Sequence, residues 1–346
     1  MRGDVRVLRV GTVSVVLRAR PLVVFVALVV ACVLMFTVSL SAGSTWVEPA
    51  KVIDALVGGA GQAVRYQVLG LRLPRSVIAL LAGAALGLAG AFLQAVARNP
   101  LASPDVLGVT SGAAVGAAAV FILGWRPLDV PLTLSLPLGA VTGGAVAAVA
   151  VFSLSGGTPG TLRLILVGIG VNAALVGILH ALLIAGGTYD TLQMQVWLTG
   201  DLSSDAARIA PLVGVLALTA LVGAASSRSR AALHLGDDVA HGVGVPVGRT
   251  RAVLVAASVL SASAAVAAAG PLGFVALSAP QIARSLTREA RAPLGCTAAC
   301  GALLVLAADL TARTLFSGAV SVGLLTAIVG GPILISLMLR RLRSPA

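Results

Sequence analysis

Lysine is almost missing from this 346-residue chain. Of its 24 cationic side chains one is a lysine, Lys51, in the context PAKVID. A Walker A loop needs a glycine-rich turn ending in Gly-Lys-Ser/Thr, with the lysine reaching the phosphates. The chain therefore has no phosphate-binding lysine of that kind, and any nucleotide hydrolysis coupled to it belongs to another polypeptide. Charge of either sign is also scarce, at 10% of residues against an apolar share of 58%. A soluble domain carries about 25% charged residues, so a water-soluble globular enzyme, a disordered chain and a coiled coil are all excluded. Aromatics stand at 3%, too few to interleave with the arginines as a nucleic-acid surface would require. The three cysteines, Cys32, Cys296 and Cys300, lie inside apolar runs. No His/Cys spacing suits a metal. GxSxG and HExxH are absent as well, and no nucleophile–base pair or pair of acids suggests an intramembrane enzyme.

What remains is apolar sequence in long runs. A helix needs about 20 apolar residues to cross the hydrocarbon core, and such stretches recur throughout. Ten spans are expected, at 22–42, 75–97, 107–125, 131–154, 163–186, 207–226, 252–270, 272–287, 294–313 and 323–339. Two are atypical. The third begins in an irregular stretch from Asn99 to Thr110, and the eighth is short and contains Pro280. Both are expected to enter the membrane part-way or kinked, with their irregular backbone buried in protein. The first run, 21 residues behind five arginines, exceeds the roughly 7–15 residues of a signal-peptide core and reads as a retained span.

The chain is thus read as an all-α polytopic membrane protein. It has an N-terminal segment over 1–21, one membrane domain over 22–339 and a tail over 340–346. With both termini in the cytoplasm, seventeen cationic residues fall inside and seven outside, the asymmetry of the positive-inside rule. Five spans per half would relate the halves as an inverted repeat. Gly83/Gly87, Gly112/Gly116 and Gly139/Gly143 form small-xxx-small pairs in consecutive spans, the pattern of helices in backbone contact. An ion-driven secondary carrier would show paired acids at membrane depth. Here Asp309 lies four residues before Arg313, at the spacing of an internal ion pair, and His180 stands alone in its span.

The longest connection on the cytoplasmic side, about 227–251, contains LGDDVAHGVGV. Asp237 after Gly236 suits an N-cap, Asp238 a first turn, and Gly244 a helix end. Leu235, Val239 and Val243 then form an apolar stripe at i, i+4, i+8. At the opposite end, Pro74 suits a first helical position. That would put Arg75 in a first turn, where the helix dipole disfavours a cation.

Several motifs together resemble one family. The stretch 71–116 contains RLPR, Q-x-x-x-R-N-P-L-A and L-G-V-x-x-G-A in order. LVGIG at 166–170, LGDDVAHGVGV at 235–245, GPLGFVALSAPQIAR at 270–284 and ADLTAR at 308–313 follow. Together they resemble the permeases of ABC importers for ferric siderophores, haem and cobalamin (type II importers). The resemblance implies two permeases paired about a transport pathway, lined by the fifth and last spans. It also implies separate ATPase subunits that use ATP and Mg, an extracytoplasmic substrate-binding protein, a lipid bilayer around the chain, and no cofactor bound by this chain. A ferric siderophore is the expected cargo, with haem or cobalamin as the alternative. The resemblance assigns ATPase coupling to Leu235, Gly236, Asp237, Asp238, Val239, Ala240, Gly244 and Val245. It assigns the cytoplasmic gate to Thr161 and Leu162, and binding-protein docking to Arg72, Arg75 and Arg313. One departure stands out: the Glu-Leu-Pro-x-Gly turn usual before the last span reads Ala319, Val320, Ser321, Val322, Gly323 here.

Overall fold

Helix forms wherever the apolar runs are long, because a backbone in lipid must satisfy its own hydrogen bonds. The computed structural model describes residues 5–10, 13–43, 45–124, 132–156, 162–200, 202, 205–316 and 318–343. An antiparallel hairpin of β1 (Val5–Val10) and β2 (Val13–Arg18) comes first, with Val10 opposite Val13. This corrects the all-α expectation for the N-terminal segment. The stretch alternates β-branched residues with arginines and so suits strands. From there on the chain is helical: α1 (Ala19–Ser41), α2 (Pro49–Val57), α3 (Gln62–Arg65), a π-helical turn (Tyr66–Arg72), α4 (Leu73–Ala97), α5 (Val109–Ile122), α6 (Leu132–Leu154), α7 (Leu162–Ala185) and α8 (Thr188–Leu198). A 3-10 turn (Ala206–Arg208) leads into α9 (Ile209–Ala225). Then follow α10 (Ser227–Leu235), α11 (Asp237–Gly242), α12 (Val247–Ala269), α13 (Val275–Thr287), α14 (Leu294–Thr314) and α15 (Val322–Arg343).

Seven of these are long and apolar enough to cross a membrane: α1, the continuous rod 62–97, α6, α7, α9, α12 and α14. The two atypical spans are short helices. α5 has 14 residues and α13 has 13, about 20 Å each at 1.5 Å per residue, against a hydrocarbon core of about 30 Å. The irregular stretch before α5 is covered by protein: Ser103 and Leu107 are buried, and Gly108 lies against Asn172 of α7. The second span departs from expectation at its start. Pro74 does not open the helix, which begins at Gln62. The π turn bonds the N–H of Leu73 back to Val68, and that widened ladder gives the proline ring room beside the carbonyl four residues earlier. The dipole argument for Arg75 therefore does not apply.

α4 is the central post, packed by α14, α12, α13 and α9 and buried along most of its length. Glycine makes this possible at a few points of backbone contact. Gly83 faces Gly301 of α14, and Gly87 faces the carbonyl of Thr297. On the neighbouring pair of helices, Gly112 and Gly116 of α5 face Gly143 and Gly139 of α6. A side chain at any of them would overlap a facing carbonyl. α7, by contrast, is largely exposed.

Overpacking of this kind costs about 1–3 kcal/mol. Gly116→Leu is expected to lower the melting temperature of the detergent-purified protein by several degrees. Gly214→Ala on α9, where an added Cβ meets nothing within 4 Å, should leave it unchanged or slightly higher.

Candidate functional site

At one end of the bundle α9 turns through α10 and α11 into α12. The expected short helix is present, but Asp237 is its first residue rather than its cap. Gly236 holds the cap position with φ 123°, a conformation that a side chain rarely adopts. The Asp237 carboxylate is drawn away by two cations. Its Oδ1 accepts from Arg98, at the end of α4, and from Arg251 of α12 at 2.9 Å. The helix closes in a Schellman motif. The N–H of Val245 donates to Ala240 O at 2.9 Å and that of Gly244 to His241 O at 2.9 Å, with Gly244 at φ 79°.

This closure sorts the stripe. Ala240 is fully buried, in a cluster with Phe92, Val96, Leu233 and Leu254. Leu235, Val239 and Val243 are 71%, 46% and 65% exposed. The expected single stripe is thus broken: Val239 alone lies on α11, Leu235 ends α10 on the far side of Gly236, and Val243 caps α11, so three partly exposed apolar side chains stand on and beside a pinned helix. The sequence reading missed the pinning arginines. It also missed Arg230, a buried residue of α10 that donates to Gly223 O at 2.8 Å and so caps the end of α9. Nearby, Gln281 of α13 donates to Pro100 O at 2.6 Å, and Arg284 donates to Gln94 of α4 at 2.8 Å. In the irregular stretch before α5, the Asp105 carboxylate accepts a hydrogen bond from the Thr110 hydroxyl.

At the opposite end Arg72, Arg75 and Arg313 come together, in unequal surroundings. Arg72 is 5% exposed and clamps the end of α1, donating to Leu40 O at 2.9 Å, Ser41 O at 2.6 Å and Thr45 O at 2.6 Å. Its guanidinium satisfies carbonyls that a helix end leaves unpaired. Arg75 donates from Nε to Asp309 Oδ1 at 2.7 Å. Arg313 pairs with Asp309 Oδ2 at 2.8 Å. Side-chain exposure is 21% for Arg75, 12% for Arg313 and 0% for Asp309. Ser39 of α1 and Ser76 of α4 are hydrogen-bonded at 2.7 Å within the same cluster. Two of the three arginines are therefore accounted for within the chain: Arg72 caps α1 and Arg75 pairs with a buried acid. Three arginines against one aspartate still leave an excess of positive charge, and Arg65 adds an exposed cation on α3.

Of the gate, Thr161 lies outside the described residues, as does the side chain of Leu162, the first residue of α7. Further along α7, Leu166, Ile169 and Ile178 are exposed, as are Leu324 and Ile328 on α15. Gly323, the last residue of the altered motif and already in the first turn of α15, packs against the backbone of Thr199, Gly200 and Pro271. No group of three or more His, Cys, Asp or Glu able to hold a metal occurs among the described residues.

The two guanidiniums make separable demands. Arg72→Met strips the end of α1 and should lower the melting temperature markedly, since hydrogen bonds to a charged donor contribute about 1.5–3 kcal/mol. Arg75→Met leaves Asp309 paired with Arg313 and should cost less. Equal losses in thermal unfolding would contradict this division.

Comparison with known proteins agrees with this architecture. A model of the FecCD transport family matches residues 27–340. The chain is 38% identical over 326 residues to the ferric enterobactin transport system permease protein FepG of Escherichia coli, covering 94% of this chain and 98% of that one. It is 34% identical to the hemin transport system permease protein HmuU of Yersinia pestis, covering 79% and 83%, and 33% identical to the vitamin B12 import system permease protein BtuC of Shigella sonnei, covering 89% and 92%. A solved metal-chelate type ABC transporter in an inward-facing conformation superposes with a TM-score of 0.77 at 26% identity, over 92% of this chain and 99% of that one. The pinned, uncovered helix at one end and the arginine cluster at the other thus sit on a multi-pass membrane protein that belongs to the FecCD transport family, the permease subunits of ABC importers.

Proposed function

We propose that this chain is the membrane subunit through which ferric siderophores enter the cell, working with a second permease, two ATPase subunits and an extracytoplasmic binding protein. The observation that carries the reading is the exposed apolar group formed by Val239 on α11 and by Leu235 and Val243 at its two ends, on a helix held by Arg98 and Arg251. A free apolar patch on a rigid mount suits a groove in a partner, here the ATPase. The siderophore assignment draws on relatives named for ferric enterobactin, iron-hydroxamate and achromobactin transport. The ferric enterobactin system has two similar permeases, FepG and FepD, which favours a heterodimer for this chain too. In this reading the short helices α5 and α13, together with α15, complete ten spans, both termini are cytoplasmic, and α7 and α15 face the pathway. Thr161 and Leu162 close it on the inner side.

The test pairs transport with abundance. Uptake of iron-loaded siderophore should require the ATPase, and the purified chain alone should turn over no ATP. Val239→Asp places a charge in this apolar group and is expected to reduce ATP-driven uptake at least tenfold at normal membrane abundance. Normal uptake by that variant would remove the coupling assignment. Uptake of haem or cobalamin but not of ferric siderophore would remove the substrate.

The outer cluster is the proposed seat of the binding protein, with Arg75 and Arg313 offering partly exposed guanidiniums to acidic residues and Arg72 supporting them from behind. Opposite charges across such a contact mainly set association rate and salt dependence. Arg75→Gln should weaken capture of the loaded binding protein severalfold at low salt, and raised salt should narrow the gap to wild type. An unchanged affinity at low salt would place docking elsewhere.

A further inference from the structure

Between α1, α4, α9 and α14 runs an apolar groove of about 810 Å³, lined by residues including Phe25, Val33, Leu81, Ala220 and Leu294. At its α10 end stands Arg230. A second, more polar cavity of about 750 Å³ continues from there, sharing Phe25 and Gly295, with His234, Glu289 and Arg291 in its wall. Each is within the size range of ligand sites. We propose that this groove and its mouth bind one anionic phospholipid, an acyl chain lying along α1 and α9 and the phosphodiester between Arg230 and Arg291.

Charge carries the argument. Arg230 is 7% exposed, and its contacts are with neutral acceptors, Gly223 O at 2.8 Å and Ser226 Oγ at 3.3 Å. Among the described residues neither Arg230 nor Arg291 is paired with a carboxylate. Glu289 shares the mouth but is engaged in an interaction of its own. Burial, reinforced by repulsion from Arg291, pushes the Arg230 guanidinium down to about 10, so it is still charged at neutral pH. A buried cation facing a second cation calls for an anion, and a phosphate suits a guanidinium fork.

Geometry selects the source of that anion. The apolar arm lies against four membrane-spanning helices, where an acyl chain belongs, and the arginines lie at its end, where headgroups belong. A free phosphate would leave the arm unused. A similar groove of about 820 Å³ between α6 and α12 makes the contrast. It ends at Arg251, which already has a carboxylate partner in Asp237, whereas neither Arg230 nor Arg291 has one among the described residues.

The test uses the full chain in mild detergent, stripped of lipid and titrated with dioleoyl phosphatidylglycerol or dioleoyl phosphatidylcholine under native mass spectrometry. Phosphatidylglycerol should be retained at least tenfold more strongly. Arg291→Gln, at an exposed position, should bring the two lipids to near parity. Ala220→Phe, which fills the arm from an exposed site, should weaken both. Neither variant should shift the melting temperature measured without lipid. Equal retention of the two lipids by the wild type would overturn the proposal, as would a preference untouched by Arg291→Gln. Full displacement of phosphatidylglycerol by millimolar inorganic phosphate would overturn it too, since the site would then read the anion alone.

Discussion

Helices already in lipid gain little from hiding apolar side chains, so what holds them is how closely their backbones can approach. The rest of this structure depends on that constraint. Gly83 against Gly301 and Gly116 against Gly139 let helix axes come close enough for dispersion contacts along whole turns. They also leave α4 surrounded on nearly every side. A buried post fixes the positions of α9, α12, α13 and α14 relative to one another. α7, left at the edge with most of its surface free, is where another chain can be accommodated without repacking the centre.

Arginine performs a second task that recurs at separate places. Arg72 closes the carbonyls at the end of α1, Arg230 those at the end of α9, and Arg313 reaches Ser39 and Ala42 at the end of α1 from a third direction. Each puts positive charge where the helix dipole is negative and the carbonyls lack partners. The scarcity of lysine fits this pattern. A planar fork can satisfy two or three carbonyls at once, and an ammonium group holds no such fixed geometry.

Much of the bundle was legible in the sequence because length and hydropathy govern spans directly. The short third and eighth spans announced themselves through Asn99–Thr110 and Pro280, and the glycine pairs pointed to the contacts they make. The N-terminal hairpin was not legible, since a run of arginines before a span reads as an orientation signal before it reads as strands. The true start of the second span was hidden for a different reason. Pro74 looks like a helix opening unless the π turn ahead of it is known, and π turns leave no periodic trace. At the sites, spacing pointed to a short helix near Asp237 but not to the break at Gly236 that leaves Leu235 on α10, and the partners of Asp237 and Arg72 are far away in sequence. Spacing predicts neighbours along one helix. It says nothing of which distant carbonyl or carboxylate a guanidinium will meet.

The double bond to Asp237 has a mechanical meaning. Arg98 and Arg251 reach the same oxygen, one from the end of α4 and the other from the start of α12, and these two helices also pack tightly on each other. A load on α11 therefore enters both at a single point. A hinge between α4 and α12 at this end would have to break one of the two bonds to that oxygen, so the shared carboxylate ties the two helix ends to one another as well as to α11.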